Sequence, residues 1–594
     1  MSQGISRRNV LRAGSLMAAG AVVATGTTRT ALAATPAGHG GRIGSGPYRI
    51  TSAYATLTRS TPDADKTKWE NIWLSPGDGD GQVADAVRIY GGKGCWSTYT
   101  TPVGNDFIYV GVDTDFKPAT PGGSALVKVN YFDAGPGHFT IHYASRTNAY
   151  TTADVVRLVG GNVWRTHLFT LSNVNFAGQQ ALGADFRISS WDTSFGRSQT
   201  DVAVSDVAVS FADFYPRYHL SVVAPDIGAD VRGLVPIRFY APGMKNVEAY
   251  TQHRPDDGNP NPGYGGYQRL VQRVVPDPDT GLATIRFPAD DYPRGPLTMV
   301  INAWDAPAGD NNFTHSDTFY LQLYNDSGVP YQEGAPVGAP PQAAGMALAY
   351  QDDFNRPLSI SLTGAGTRYS AQKPDLSEPT GGGEFGDAIF VDPDGPYNPF
   401  AISGENYLRI RSVRTPDGFV DSRGWDRVHF GGLLSSLRFD RSGVAVRYGY
   451  FEARIMAPGG NGTWPAFWLL PQTDNPAGDV EVDITELYGN NVAVSRETYH
   501  IWSNPATGEG TATTLAANNP TFTGWHVYGA KVTPTETIWY VDNVEAFRQP
   551  TAAQGDAPMF FMLNLALGSG WPVNLTTKYN DQVDFYVDYV RIFS

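Results

Sequence analysis

Residues 481–487 read Glu481-Val482-Asp483-Ile484-Thr485-Glu486-Leu487. Acids alternate with β-branched residues, which is the pattern of a strand, and alternation puts Glu481, Asp483 and Thr485 on one face and Val482 and Ile484 on the other. In an unbroken strand Glu486 would point with Val482 and Ile484 into a core, where a carboxylate is costly. One bulge between Asp483 and Glu486 restores the phase and brings all three acids to the exposed face. The stretch therefore predicts a bulged strand in a half-buried sheet. The Cα atoms of Glu481 and an acid four pleat steps on are about 13 Å apart, a gap that two inward-leaning side chains can partly close.

The surroundings are strand-rich as well. Gly449-Tyr450-Phe451-Glu452-Ala453-Arg454-Ile455 reads as a strand, and Trp464-Pro465-Ala466-Phe467-Trp468-Leu469-Leu470 follows a Gly-rich turn. Residues 348–594 are long enough for one large β-sandwich with its own core. Residues 327–347 form a Pro/Gly/Ala linker, because Gly334 to Gly345 shows no periodic apolar face and mixes stiff Pro with flexible Gly. Before it, residues 217–326 carry runs such as Leu234–Tyr240 and Thr298–Trp304, which suggest an immunoglobulin-like sandwich. Residues 46–216 alternate with period two at Leu126–Tyr131, Phe139–Tyr143 and Val202–Val209, as expected of a jelly-roll accessory sandwich, either a carbohydrate-binding module or a spacer. No helix-length amphipathic pattern stands out in the mature chain, so the fold class is all-β.

Residues 1–33 have the form of an export signal. Arg7-Arg8 precede an uncharged, mildly apolar run, and Ala31-Leu32-Ala33 ends it with a small-x-small site. The twin arginines indicate the bacterial twin-arginine route, hence a secreted protein with no membrane anchor. The chain has one cysteine, Cys95, and so no intramolecular disulfide or thiolate metal site. Its formal charge of −14 repels phosphate backbones, which excludes nucleic acid as the expected partner and leaves neutral polymers open. No His-Glu-x-x-His pattern occurs among the ten histidines, so no catalytic metal is expected.

Alone, three acids in six residues would more often mark a solvated strand face or a calcium site than a reaction centre. Carboxyl groups in line repel one another, so one holds its proton while another stays ionised, which is what cleavage of a glycosidic bond requires. The set formed by Gly449–Arg454, Gly462–Trp468 and Glu481-x-Asp483-x-x-Glu486 resembles glycoside hydrolase family 16. Further matches are Trp525–Tyr528, Trp539–Asn543, Leu563–Gly568 and Val587–Ile592, so the resemblance covers 348–594 in the family's order. It implies a β-jelly-roll catalytic domain that retains configuration, with Glu481 as nucleophile, Glu486 as general acid/base and Asp483 tuning both. The bulged spacing is more similar to the laminarinase, agarase and carrageenase branches than to the unbulged lichenases.

The resemblance also implies that Trp464, Trp468, His500, Asn564 and Trp571 contact substrate. It allows a structural calcium, with Asp588 the nearest ligand by position, and needs no cofactor for the chemistry. The expected protein is a monomeric, secreted endo-glycosidase acting on a β-linked polysaccharide, β-1,3-glucan first. A galactanase, an exopolysaccharide glycanase, a transglycosylase of the same family and a non-catalytic glycan-binding protein are the alternatives.

Overall fold

The computed structural model describes the chain except for residues 1–51, 57–66, 70, 77–86, 91–92, 99–104, 119–120, 212–216, 253–267, 329–333, 375–385, 405, 417–418, 420–426, 428, 474–477, 505–508, 519–521, 569–572, 574 and 580. The export signal and Trp571 lie outside the described residues. Strands dominate, as the alternating patterns require; the one α-helix among the described residues is the single turn Thr576–Tyr579. No helix among them is long and apolar enough to cross a membrane.

Two six-stranded sheets form the N-terminal sandwich, and Val127, Val129, Phe139, Ile141, Phe186 and Val209 fill the space between them. Cys95 is buried in a satellite cluster with Phe132, Trp164 and Ala203, where it acts as a small apolar residue. A three-stranded and a five-stranded sheet follow, in which Ala229–Val231 runs parallel to Ser316–Asn325 and the other pairings are antiparallel.

From Leu348 onward the strands pair into one nearly closed, jelly-roll-like β structure. One layer runs, in spatial order, His429–Ser435, Met559–Leu567, Thr463–Pro471, Asp479–Leu487, Val494–Asn504, Glu509–Asn518. The opposing layer runs Phe400–Ser403, Tyr407–Arg414, Val583–Phe593, Gly449–Met456, His526–Val532, Glu536–Val541, Val544–Pro550. The core lies between them. Phe467, Leu469, Val480, Val482, Phe561, Leu563 and Leu565 from the first layer meet Phe451, Ile455, Tyr528, Trp539, Phe585 and Ile592 from the second. Their alternate neighbours point outward from the first layer and build the site.

The middle sandwich is locked to the C-terminal one. Gln322 donates to the Asp584 carbonyl at 2.7 Å and accepts from the Asp584 N–H at 2.9 Å, a side-chain imitation of strand pairing. The Trp525 indole N–H donates to the Pro296 carbonyl at 2.9 Å, Lys578 pairs with Asp317, and the Phe319 and Tyr579 rings lie 5.0 Å apart. Apolar residues of both units form one continuous core cluster. Under the seam, Arg411 grips Asp584 through Nε–Oδ1 at 2.6 Å and Nη2–Oδ2 at 2.7 Å. Gly228, at φ +71°, closes over this pair, and a Cβ there would stand 2.4 Å from Arg411 Nη2.

The described residues of the connecting segment form no strand, yet they are bound to the C-terminal sandwich. Arg591 Nη1 donates to the Pro336 and Gly338 carbonyls at 2.8 Å each, and Ala343 is fully buried. The Gly334 N–H donates to Asp588 Oδ1 at 2.8 Å, while Asp588 Oδ2 takes Arg454 Nη1 at 2.7 Å. Asp588 thus has an arginine on one oxygen and a backbone donor on the other, and it is 0% exposed.

Candidate active site

The bulge in the acidic strand is present on both of its edges. Towards Thr463–Pro471 the register pairs Ala466 with Glu486 and Phe467 with Thr485, then shifts so that Trp468 faces Asp483. Towards Val494–Asn504, Glu481 faces His500, Asp483 faces Thr498 and Glu486 faces Arg496, so three steps on the acidic strand match two on its neighbour. Glu481, Asp483 and Glu486 thus share a face, while Val480 and Val482 remain in the core. The bulge leaves backbone groups without regular ladder partners, and one is met from across the core, where Trp539 Nε1 donates to the Asp483 carbonyl at 2.8 Å.

Each carboxyl group is held by a different donor set. Glu481 Oε2 accepts the Trp502 indole N–H at 3.1 Å. Asp483 Oδ2 lies 3.1 Å from His500 Nε2, and the imidazole stacks on the Trp502 ring at 5.2 Å and 5°. Glu486 Oε1 accepts from Trp464 Nε1 and from the Tyr488 hydroxyl, each at 3.0 Å, and Thr498 Oγ1 lies 3.4 Å from Oε2. All three acids are buried, at 1%, 0% and 7% exposure.

Burial works against a charged His500, but the Asp483 hydrogen bond and the field of Glu481, Asp483 and Glu486 outweigh it and raise the imidazole to about 9. His500 is therefore a cation at neutral pH. Glu481, Asp483 and His500 each bring a ligand atom within 4.8 Å of the others, a spacing that could hold a metal ion. The same spacing lets Asp483 and His500 form a close internal pair at 3.1 Å.

His500 has a folded-state value above its unfolded one of about 6.5. Its contribution to stability is fully present below about pH 6.5 and is lost as the pH rises through about 9. Activity that depends on the imidazolium is expected to fall over the same alkaline range. A pH profile of kcat/KM should show that limb in the native protein and lose it in His500→Asn.

The substrate-contact expectations divide. Trp464 and His500 stand on the acidic face beside the carboxylates. Trp468 and Asn564 are bonded to each other and to the Trp464 backbone: Trp468 Nε1 donates to Asn564 Oδ1 at 2.8 Å, and Asn564 Nδ2 donates to the Trp464 carbonyl at 3.4 Å. These bonds tie Trp468, Asn564 and the strand that carries Trp464 to one another beside the acidic row. Trp502, Tyr488, Thr498 and Trp539 were not foreseen. Trp502 was within reach, since it lies two residues beyond His500 on a strand and therefore on the same face.

A bulged strand with a carboxylate row, fixed by aromatic N–H and O–H donors on the outer face of a β-sandwich, defines the class of site. The glycosyl hydrolases family 16 profile matches residues 430–591, which contain the whole row. A beta-glucanase of Rhodothermus marinus is 31% identical over 216 residues, 31% of this chain and 71% of that protein. The chain belongs to glycosyl hydrolases family 16. The endo-1,3-1,4-beta-glycanase EglC of Rhizobium meliloti (strain 1021) is 32% identical over 198 residues, 33% of this chain and 40% of EglC, so the match spans two fifths of that relative. The laminarinase catalytic domain of Thermotoga maritima MSB8 superposes with a TM-score of 0.34 and 21% identity, over 42% of this chain and 98% of that domain.

Proposed function

We propose that this protein is a secreted retaining endo-glycosidase that hydrolyses a β-linked polysaccharide, β-1,3-glucan first. The observation that carries the reading is the bulge between Asp483 and Glu486, which puts two Glu side chains on one face with an Asp–His pair between them. The beta-glucanase of R. marinus and the endo-1,3-1,4-beta-glycanase of R. meliloti, both similar to this chain, support a β-glucan as the substrate. Export through the twin-arginine route is supported by Arg7-Arg8 and the Ala31-Leu32-Ala33 site.

In the proposed mechanism Glu481 attacks the anomeric carbon as Glu486 gives its proton to the glycosidic oxygen, and the leaving chain departs as an alcohol. Glu486, now a carboxylate, takes a proton from water, and that water attacks the anomeric carbon and frees Glu481. Glu486 Oε1 accepts from Trp464 and Tyr488, so the mobile proton rides on Oε2. The Asp483–His500 pair keeps the middle of the row near neutral, which limits repulsion on an ionised Glu481.

Release of reducing ends from laminarin, mixed-linkage β-glucan, agarose, carrageenan and β-galactan tests the reading, with Glu481→Gln as the blank. Cleavage of laminarin that the variant loses is the expected result. Cleavage of a galactan alone would keep the mechanism and overturn the substrate. Silence on every polymer would favour a protein that only binds glycan.

A further inference from the structure

Arg496 faces Glu486 directly in the strand register and so stands on the carboxylate face. It is half-buried. Its guanidinium carbon lies 5.6 Å from the centre of the Tyr488 ring. Tyr488 also stacks with Trp464 at 6.1 Å and 16°, so Trp464, Tyr488 and Arg496 form one group beside the acid/base. Among the described residues no carboxylate lies within 4.0 Å of the guanidinium. Other half-buried arginines of this chain are treated differently: Arg165 is paired with Asp133 at 2.9 Å and Arg368 with Asp352 at 2.6 Å.

A guanidinium has five N–H donors, and a ring face satisfies its π surface without engaging them. An arginine held beside an aromatic ring keeps its fork available for a planar anion. Its position, in a protein of net charge −14 and next to a row of acids, gives one local site that favours negative charge.

We propose that Arg496 forms an anion-accepting subsite beside Glu486, so that the polysaccharide carries a carboxylate or sulfate substituent on the sugar bound there. This rests on the reading of Glu481 and Glu486 as a glycan-cleaving pair and narrows the substrate from any neutral β-glucan to one with acidic decoration. The fork takes the substituent through paired N–H bonds, and the Tyr488 ring supports the same sugar from the side.

The test compares laminarin with carboxymethylated and sulfated β-1,3-glucans of matched length, for the native protein, Arg496→Gln and Arg496→Lys. The expected result is that the ratio of kcat/KM for a charged over the neutral polymer falls about tenfold in Arg496→Gln and partly recovers in Arg496→Lys, because Lys keeps the charge and loses the fork. Which of the two charged polymers shows the effect separates carboxylate from sulfate. An equal loss on charged and neutral polymers, or a shifted pH profile with an unchanged ratio, would overturn the proposal and make Arg496 a tuner of Glu486.

Affinity electrophoresis of Glu481→Gln, with and without Arg496→Gln, through the same polymers gives a readout that needs no turnover. Charge-selective retardation that depends on Arg496 supports the subsite, and its absence sinks it. Native inactivity on laminarin together with Arg496-dependent binding of charged polymer would fail the β-glucan reading while sustaining this one.

Discussion

Glu481→Gln is expected to lower turnover by on the order of 10⁴-fold while leaving the fold intact. The amide keeps the shape of the side chain and can still accept from the Trp502 indole, which now bonds Oε2 at 3.1 Å, so the melting temperature should barely move. What it loses is the anion that attacks the sugar carbon. Glu486→Gln should cost less, about 10²–10⁴-fold, because a substrate with a good leaving group does not need the proton. An activated aryl glycoside should therefore still release its phenol from Glu486→Gln, with the second step slow, and should not react with Glu481→Gln. If both variants respond alike to the leaving group, the roles of the two residues are not separate.

The second large effect is on stability. Arg411→Ala is expected to destabilise the chain by about 3–5 kcal/mol, because it strands a buried carboxylate at Asp584. Asp584 is 0% exposed, and burial alone would raise its carboxyl; the Arg411 guanidinium overrides that and holds it below the usual carboxylate range. Since the folded value is depressed, the pair stabilises above the unfolded value of about 3.9 and the gain disappears as the pH falls through the folded value. Thermal unfolding at neutral pH should show a drop of roughly 10 °C for Arg411→Ala. Arg411→Met with Asp584→Leu should recover part of it, since removing both charges avoids the stranded ion. Equal melting of native protein and Arg411→Ala would mean that the buried Arg411–Asp584 pair contributes little.

The acidic strand was legible in the sequence because side-chain alternation has a fixed period. A Glu at an even step from core valines is an error that only a bulge repairs, and the register at Asp483 and Glu486 carries that repair. What holds the bulge was not legible. Trp539 comes from the opposing layer, and nothing in its local pattern says that its N–H crosses the core to the Asp483 carbonyl. The bond between Trp468 and Asn564 was hidden for a related reason: both lie on strands of the acidic layer, but their contact depends on pairing between strands about 100 residues apart.

The seam with the middle sandwich was hidden too. Gln322 and Trp525 look like ordinary strand residues until Asp584 and Pro296 stand opposite them. Asp588 shows the reverse case, a conspicuous acid in a terminal strand whose partner, Arg454, lies 134 residues away. Local sequence marks where acids are; only the packed sheets decide whether each is spent on an arginine or kept for chemistry.

The most direct test of the proposed two-step reaction is the anomeric form of the first product, followed by proton NMR during cleavage of a β-1,3-glucan oligosaccharide. A double displacement through Glu481 predicts the β anomer first, with the α signal growing later by mutarotation. Initial appearance of the α anomer would mean direct attack by water and would contradict the assignment of Glu481 as nucleophile.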